Sequence, residues 1–151
     1  MASTYRTQRK KIVDSYVEEL KTKINGTSPY NSNLFNNVEG HTVFIDQISQ
    51  YPKVCVIAGD ETREYQPGGL KWRYLSLEIR VYVEDEEDPQ EELALILEDI
   101  ERVIDNNDIL TYDDSVSPNL NTTSSTILTI ATDEGVLAPL GVGEVAIQVR
   151  Y

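Results

Sequence analysis

The residue types that most often carry out covalent catalysis are scarce in this chain. It has one histidine, His41, and one cysteine, Cys55, so a Cys–His nucleophilic pair would have to join these two. Cys55 lies in the apolar run 53–58, where a cysteine usually serves as a small buried hydrophobe. No G-x-S-x-G sequence is present to place a hydrolase serine on a sharp turn. These residues do not predict a nucleophilic enzyme.

Motifs for cofactors and metals are also missing from the sequence. Gly68-Gly69 is not followed by the Lys-Ser or Lys-Thr of a P-loop, and Gly141-x-Gly143 precedes a predicted strand instead of opening a helix. One cysteine and one histidine are too few for a structural zinc site. The acidic runs 84–88 and 105–108 lack the glycine and spaced ligands of an EF-hand loop. We therefore predict a protein that is not an enzyme and that holds no cofactor or metal.

Composition predicts one globular domain, residues 1–151, with a strong acidic bias. The chain is 40% hydrophobic and 26% charged, which is ordinary for a folded domain. Its formal net charge of −13 argues against binding nucleic acid through phosphates. No run approaches the roughly 18 apolar residues of a membrane span, and residues 1–24 lack the apolar core of a secretory signal. Together with the single cysteine, this indicates a reducing compartment and no membrane partner.

The charges are unevenly distributed along the chain. Residues 1–24 carry more basic than acidic side chains, whereas residues 84–108 hold twelve acidic residues and only one basic residue, Arg102. This polarity could organise self-assembly in which a basic end meets an acidic end. Two solvated helix faces on a soluble protein are the alternative explanation.

Two amphipathic helices are predicted. The first spans about 4–24, with Ser3 or Thr4 as the N-cap and Asn25-Gly26 as the stop. The second spans 89–104, with Asp88 as the N-cap and Pro89 in the first helical position. Each has one apolar stripe at helical spacing. The stripes are Ile12, Val13, Tyr16, Val17, Leu20 and Ile24, and Leu93, Ile96, Leu97, Ile100, Val103 and Ile104.

Five segments have the pattern of strands. They are 41–45, 53–58, 75–83, 126–132 and 145–151. The charged segment 59–70 is predicted to be the long arm of a hairpin, and 28–40, 113–125 and 133–141 are predicted to be loops or connections.

The order of these elements predicts an α+β fold. We expect a mostly antiparallel sheet of four to five strands with both amphipathic helices packed on one face. The opposite sheet face would then be free to bind a partner. That face would present Tyr74, Glu78, Arg80 and Tyr82.

The C-terminal half resembles a known family. Residues 127–151, ILTIATDEGVLAPLGVGEVAIQVRY, are similar to the closing β-hairpin of small tail-completion proteins of long-tailed bacteriophages. The run YPKVCV at 51–56, the charged segment after it, the strand 75–83 and the opening helix match the same proteins. The family that the chain resembles is the tail terminator, over about residues 5–151, with 28–40 and 113–125 unmatched.

The resemblance implies a structural virion protein at the head-proximal end of the tail, assembled in the host cytoplasm. Tail terminators are expected to form homohexameric rings that bind the tail tube protein, stop tube polymerisation and present a docking surface to the neck or connector protein. DNA would pass through the ring without specific binding. The surplus of carboxylates in this sequence fits such a lumen.

Three groups of residues are candidates for contacts in such an assembly. One set would meet an acidic surface on a neighbouring subunit or the neck: Arg6, Arg9, Lys10 and Lys11. A second set would contact the tube or line the lumen: Asp60, Glu61, Arg63, Glu64 and Tyr65. A third set is interpreted first as a solvated turn and helix cap and second as lumen lining: Glu84, Asp85, Glu86, Glu87 and Asp88.

Other functions remain open at this stage. A head-completion or neck ring protein would have a similar α+β fold. An acidic cytoplasmic module that binds a basic protein, or a small enzyme that works with carboxylates alone, would have a similar composition.

Overall fold

Residues 7–151 are described by the computed structural model. This range contains two α-helices and seven strands, numbered in chain order. They are α1 (Gln8–Lys23), β1 (Val38–Glu39), β2 (Lys53–Tyr65), β3 (Lys71–Glu84), α2 (Pro89–Asp105), β4 (Thr111–Asp113), β5 (Leu120–Asn121), β6 (Ser124–Thr132) and β7 (Leu140–Arg150).

The long alternating strand β3 lies at the centre of a five-stranded sheet with the order β1-β2-β3-β7-β6. All its pairings and that of β6 with β7 are antiparallel, and only the short β1 pairs in parallel with β2. Every second side chain of β3 is buried on one face, as its pattern predicts. These side chains are Leu75, Leu77, Ile79, Val81 and Val83.

Both helices pack against that buried face. The core cluster contains the apolar stripe of α1, the stripe of α2 and the inward residues of β3 and β7. The α+β prediction, with both helices on one face of a mostly antiparallel sheet, is therefore confirmed. Gly143 makes room for the second helix, because a Cβ there would lie 2.9 Å from Cδ1 of Leu93.

The two helices differ in how well their start was predicted. The α2 prediction is confirmed, and the Asp88 carboxylate accepts a hydrogen bond from the N–H of Glu91 at 3.1 Å. In the described residues α1 begins at Gln8, later than the predicted start, and the predicted caps Ser3 and Thr4 lie outside the described residues. Thr7 is the N-cap, and its hydroxyl accepts from the N–H of Lys10 at 3.2 Å. The apolar stripe begins only at Ile12, so tertiary packing gives the helix no reason to start earlier.

The strand predicted at 41–45 is wrong. Instead, residues 41–51 cross the sheet face opposite the helices and contain one short 3₁₀ turn, Ile45–Gln47. Val43 packs there on Cys55 and Tyr82, and the Tyr82 hydroxyl donates to the Val43 carbonyl at 2.8 Å. The prediction that this face is free is therefore wrong for the part that residues 41–51 cover. Tyr82 is only 5% exposed, whereas Tyr74, Glu78 and Arg80 are half-buried.

Two segments predicted as loops contain short strands. β1 lies within 28–40, and β5 lies within 113–125, where it pairs with β4 in a small two-stranded sheet. The charged segment 59–70 is confirmed as the long arm of a hairpin. Its ladder runs from Glu61 opposite Leu75 to Tyr65 opposite Lys71, after a β-bulge between Ala58 and Glu61.

Candidate protein interface

The β2–β3 hairpin extends beyond the core and ends in an exposed tip. Tyr65 and Leu70 flank the turn and are 71% and 70% exposed. Gly68 and Gly69 form this turn with φ of 86° and 83°, a conformation that L side chains rarely adopt. A projecting segment with large exposed apolar side chains is typical of a protein contact site.

Cations collect on the helix-side face of this hairpin. The register places Arg63 opposite Arg73 and Tyr65 opposite Lys71, on the same face as the core residue Leu75. Arg9, from the first turn of α1, reaches the same place, with its Nη1 3.9 Å from Oε2 of Glu61. Like charges directly across a strand pair destabilise it, so this arrangement is not explained by fold stability.

Glu61 is the carboxylate that holds these groups together. It accepts from Nε and Nη2 of Arg63, both at 3.3 Å, and from the Tyr151 hydroxyl, and its side chain is 7% exposed. Burial, and then the hydrogen bond to Glu61, raise the pKa of Tyr151 to about 12. Glu61 therefore faces inward and binds groups of its own subunit.

A cavity of about 260 Å³ opens beside Glu61, which we call the arginine cavity. It is lined by Thr7, Gln8, Arg9, Glu61, Arg63, Arg73 and Tyr151. Arg73 is oriented there by a 2.8 Å hydrogen bond to Oε1 of Gln8 and lies 5.7 Å from the ring centre of Tyr151. Three guanidinium groups against one carboxylate give this cavity the chemistry to receive an anionic group.

The opposite face of the hairpin is aromatic. The guanidinium carbon of Arg150 lies 4.2 Å from the ring centre of Trp72, and the Tyr74 hydroxyl donates to Glu64 at 3.3 Å. Arg, Trp and Tyr are the residues most enriched at the energetic centres of protein interfaces. The hairpin therefore has the composition of an interface on both faces.

The structure does not bring the predicted basic group together. Arg6 lies outside the described residues. Arg9 lines the arginine cavity, whereas Nζ of Lys10 lies 3.2 Å from Asp14. Nζ of Lys11 binds the Asp113 carboxylate at 2.7 Å. This contact, together with the Ser115 hydroxyl and N–H, lowers the pKa of Asp113 to about 2. Lys11 thus connects α1 to β4 and contributes a contact within the fold.

The third predicted group lies at the other end of β3. Asp85 accepts from the N–H groups of Glu87 at 2.8 Å and Asp88 at 3.1 Å, and the bonds from Asp88 and Glu87 lower its pKa. Because Asp88 also caps α2, the geometry has the form of the predicted turn and helix cap. Glu84, Glu86 and Glu87 are exposed and leave this end of the molecule strongly acidic.

An apolar turn accompanies those carboxylates. The β6–β7 connection lies at the same end, since the N–H of Asp85 donates to the Pro139 carbonyl at 3.0 Å. Within it, Val136 is 82% exposed and Leu137 is also exposed. Next to them is a cavity of about 310 Å³, which we call the turn cavity. It is lined by Ala131, Thr132, Asp133, Leu137, Val142 and Glu144.

Asp133 gives the turn cavity its shape. Burial alone would raise its pKa, but the backbone N–H groups of Leu137 and Val142 and the side chain of Gln90 outweigh that and lower it. Its carboxylate accepts from these three groups at 3.0, 3.2 and 2.9 Å. These hydrogen bonds to Asp133 fix the conformation of the β6–β7 connection, while its apolar residues Val136 and Leu137 remain exposed.

Sequence reasoning missed the turn cavity and part of the hairpin. Lys71 and Arg73 lie between the predicted hairpin arm 59–70 and the predicted strand 75–83, so the pattern of neither segment points to them. Val136 and Leu137 were not selected because they lie in a segment punctuated by Gly and Pro. The sequence feature that indicates this surface is the pair of large apolar residues in a turn, because the conformation of such a turn does not require apolar side chains.

Two findings in residues 7–151 concern the groups considered for catalysis. Cys55 is fully buried, and burial raises the pKa of its thiol, which makes it a poor nucleophile. Residues 7–151 contain no group of three or more His, Cys, Asp or Glu side chains arranged to hold a metal ion. None of the helices in that range is long and apolar enough to cross a membrane.

Comparison with known proteins assigns the chain to a family. The family model described as Bacteriophage Tail Tube Terminator Protein matches residues 6–151. The tail tube terminator protein p142 of Escherichia phage T5 is 37% identical over 150 residues, which cover 95% of this chain and 92% of that protein. The family-model match spans the two helices, the sheet and both of its ends. The chain therefore belongs to the bacteriophage tail tube terminator family, as the resemblance of its C-terminal half predicts.

Proposed function

We propose that this protein is a non-enzymatic virion component that caps the head-proximal end of the phage tail tube. It stops polymerisation of the tube and then presents the surface on which the neck docks. The observation that carries this proposal is the family match over residues 6–151, which leaves almost no part of the chain outside the terminator fold. The protein is made and assembled in the host cytoplasm and remains in the tail.

A ring of identical subunits, six in the expected case, is the proposed working form. Two chemically unlike ends of one sheet support it, because unlike ends fit a head-to-tail contact that closes into a ring. The hairpin end is cationic and aromatic, whereas the end at Glu84, Glu86 and Glu87 is acidic.

The net charge of −13 supports a lumen through which DNA slides. Carboxylates that face the axis would repel phosphates, so the duplex would not stay bound. Exposed acidic residues are also spread along α2, beyond those that a subunit contact would use.

Capping is tested by adding the purified protein to purified tail tubes and to tail-less heads. We expect rings in negative-stain images and density at one end of the tubes, with no further addition of tube protein at that end. Binding to heads alone would instead indicate a head-completion or neck protein. A stable monomer that binds neither would point to the acidic module that binds a basic protein.

A further inference from the structure

We propose that the β2–β3 hairpin of one copy docks on the acidic end of a second copy. The hairpin surface consists of Arg63, Tyr65, Leu70 and Lys71, with the arginine cavity behind it. The receiving surface consists of Glu84, Glu86, Glu87, Val136 and Leu137, with the turn cavity beside it. This contact rests on the proposed ring and names the surfaces that build it.

Charge is the first argument for this pairing. Arg63 and Arg73 lie directly opposite each other, and the side chain of Lys71 has no ion-pair or hydrogen-bond partner among residues 7–151. The single carboxylate of this cluster, Glu61, is turned inward and already shared. An anionic group from outside would relieve the repulsion between these cations.

The second copy supplies that anionic group. Glu84, Glu86 and Glu87 are exposed on a connection whose shape is fixed by Asp85 and Asp88, so they need no reordering to bind. A chain with this acidic bias meets far more repulsion from its own copies elsewhere. The cationic face of the hairpin is thus a surface that attracts an acidic part of another copy.

Apolar complementarity is the second argument. The hairpin tip projects Tyr65 and Leu70, and the acidic end exposes Val136 and Leu137 beside the turn cavity. At about 310 Å³, that cavity has room for an aromatic side chain. An apolar centre with a charged rim is the usual anatomy of a specific protein interface.

The position of the two surfaces is the third argument. They lie at opposite ends of β3, whose 14 residues span about 43 Å at about 3.3 Å per residue. Docking one end on the other leaves a free hairpin and a free acidic end on every pair. Such a contact continues from copy to copy, which is what a closed ring requires.

The test uses two charge-reversed proteins. The hairpin variant carries Arg63→Glu and Lys71→Glu, and the acidic-end variant carries Glu86→Lys and Glu87→Lys. All four side chains project from the surface, and both proteins remain net negative, so net charge cannot drive them together. Self-association is measured by sedimentation velocity at about 0.1 M salt, where the Debye length is about 10 Å.

We expect each variant alone to associate about a hundredfold more weakly than the wild type, because like-charged ends then meet. An equimolar mixture should associate again, since each remaining wild-type end finds its complement on the other variant. Rings from the mixture should contain the two proteins in equal amounts and in alternation. Thermal unfolding of each variant confirms that it is folded.

Two matched controls carry the same charge changes elsewhere: Lys21→Glu with Lys23→Glu, and Glu101→Lys with Asp105→Lys. These should assemble as the wild type does. Assembly of either test variant alone at wild-type strength overturns the docking contact, as does a mixture that stays monomeric. If the wild type associates but caps no tubes, the proposed function fails, while recovery on mixing still supports the contact.

Discussion

Asp99 is a fully buried carboxylate, and its hydrogen bonds explain how the fold accommodates it. It lies on the core side of α2 with 0% of its surface exposed. Its oxygens accept from the N–H of Asn31 at 2.9 Å, the N–H of Ser32 at 2.8 Å and the hydroxyl of Ser32 at 2.5 Å. The residue thereby fastens the segment after α1 to the second helix.

Replacing Asp99 with Ala should destabilise the protein strongly. The donors of Asn31 and Ser32 would lose their acceptor, and each unsatisfied buried group costs about 1–3 kcal/mol. We expect the free energy of unfolding to fall by about 2–4 kcal/mol, measured by urea denaturation. Asp105→Ala, at an exposed position of the same helix, should change it by less than about 0.5 kcal/mol. An equal loss in both variants would contradict this role of Asp99.

The contact between Lys11 and Asp113 should make stability depend on acid. The pKa of Asp113 falls from 3.8 to about 2 in the folded protein, chiefly because of Lys11. A lowered folded pKa means that this contribution is fully present above about pH 4 and is lost as the pH falls toward 2. Lys11→Met should therefore flatten the decline in unfolding free energy between those pH values.

The measurement is urea denaturation at a series of pH values for both proteins. Lys10→Met is the matched control, because Lys10 pairs with Asp14 at the helix surface, where such pairs contribute little. A decline in Lys11→Met as steep as in the wild type would show that Asp113 is not held by Lys11.

At the scale of elements, the sequence predicts best what is decided locally. Asp88, Pro89 and Glu91 give α2 its start through contacts within one turn, and this helix is confirmed. The alternation of β3 likewise predicts its buried face. By contrast, β1 has only two residues and exists because β2 offers an unpaired edge to Val38 and Glu39. No local pattern encodes such a pairing.

The strand predicted at 41–45 is wrong for a related reason. Its apolar residues, among them Val43 and Ile45, are as consistent with a strand as with a segment that covers a sheet face. Prediction of the candidate site is limited in the same way, because the site depends on which residues face each other across the hairpin. Arg63 was selected from its charge, but that Arg73 stands opposite follows only from the register, which sequence does not fix in a long hairpin.

Gly141 should be the glycine of β7 that least tolerates a side chain. A Cβ there would lie 2.8 Å from Cγ2 of Val83, whose χ1 is stiff, and 3.4 Å from the Pro89 carbonyl at the start of α2. Gly141→Ala should lower the free energy of unfolding by about 1–3 kcal/mol through overpacking. In Gly59→Ala the nearest atom is 3.4 Å away, so this control should lose less. Thermal and urea unfolding would reveal a contradiction if the two variants lost the same amount.

At the scale of the whole molecule, the core separates two chemically different surfaces, the β2–β3 hairpin and the acidic end. The core is built by one sheet face and two helices and contains no residue of the hairpin tip 64–72. The acidic end likewise uses Asp85 and Asp88 for local structure and leaves its other carboxylates outward. If the proposed contact builds the ring, stability and assembly are carried by separate residues, and one can be altered without the other.

Shortening the hairpin should test this separation. Because Arg63 and Arg73 are directly opposite, residues 64–72 can be replaced by Asn-Gly, the sequence that favours a two-residue hairpin turn. The change removes Tyr65, Leu70 and Lys71 but no core residue, and the lost contact of Arg150 with Trp72 is worth about 0.5–1 kcal/mol. We expect the unfolding temperature to fall by only a few degrees while ring formation and tube capping are lost.

A variant of full length with Tyr65→Ser and Leu70→Ser separates the apolar tip from the reach of the hairpin. If the tip supplies the centre of the contact, this variant should assemble as poorly as the shortened one, because truncation of a buried aromatic anchor costs more than truncation of the rim. If the cations suffice, it should assemble nearly as well as the wild type. A shortened protein that still forms rings and caps tubes would mean that the subunits meet elsewhere, and the charge opposition at Arg63 and Arg73 would then need another explanation.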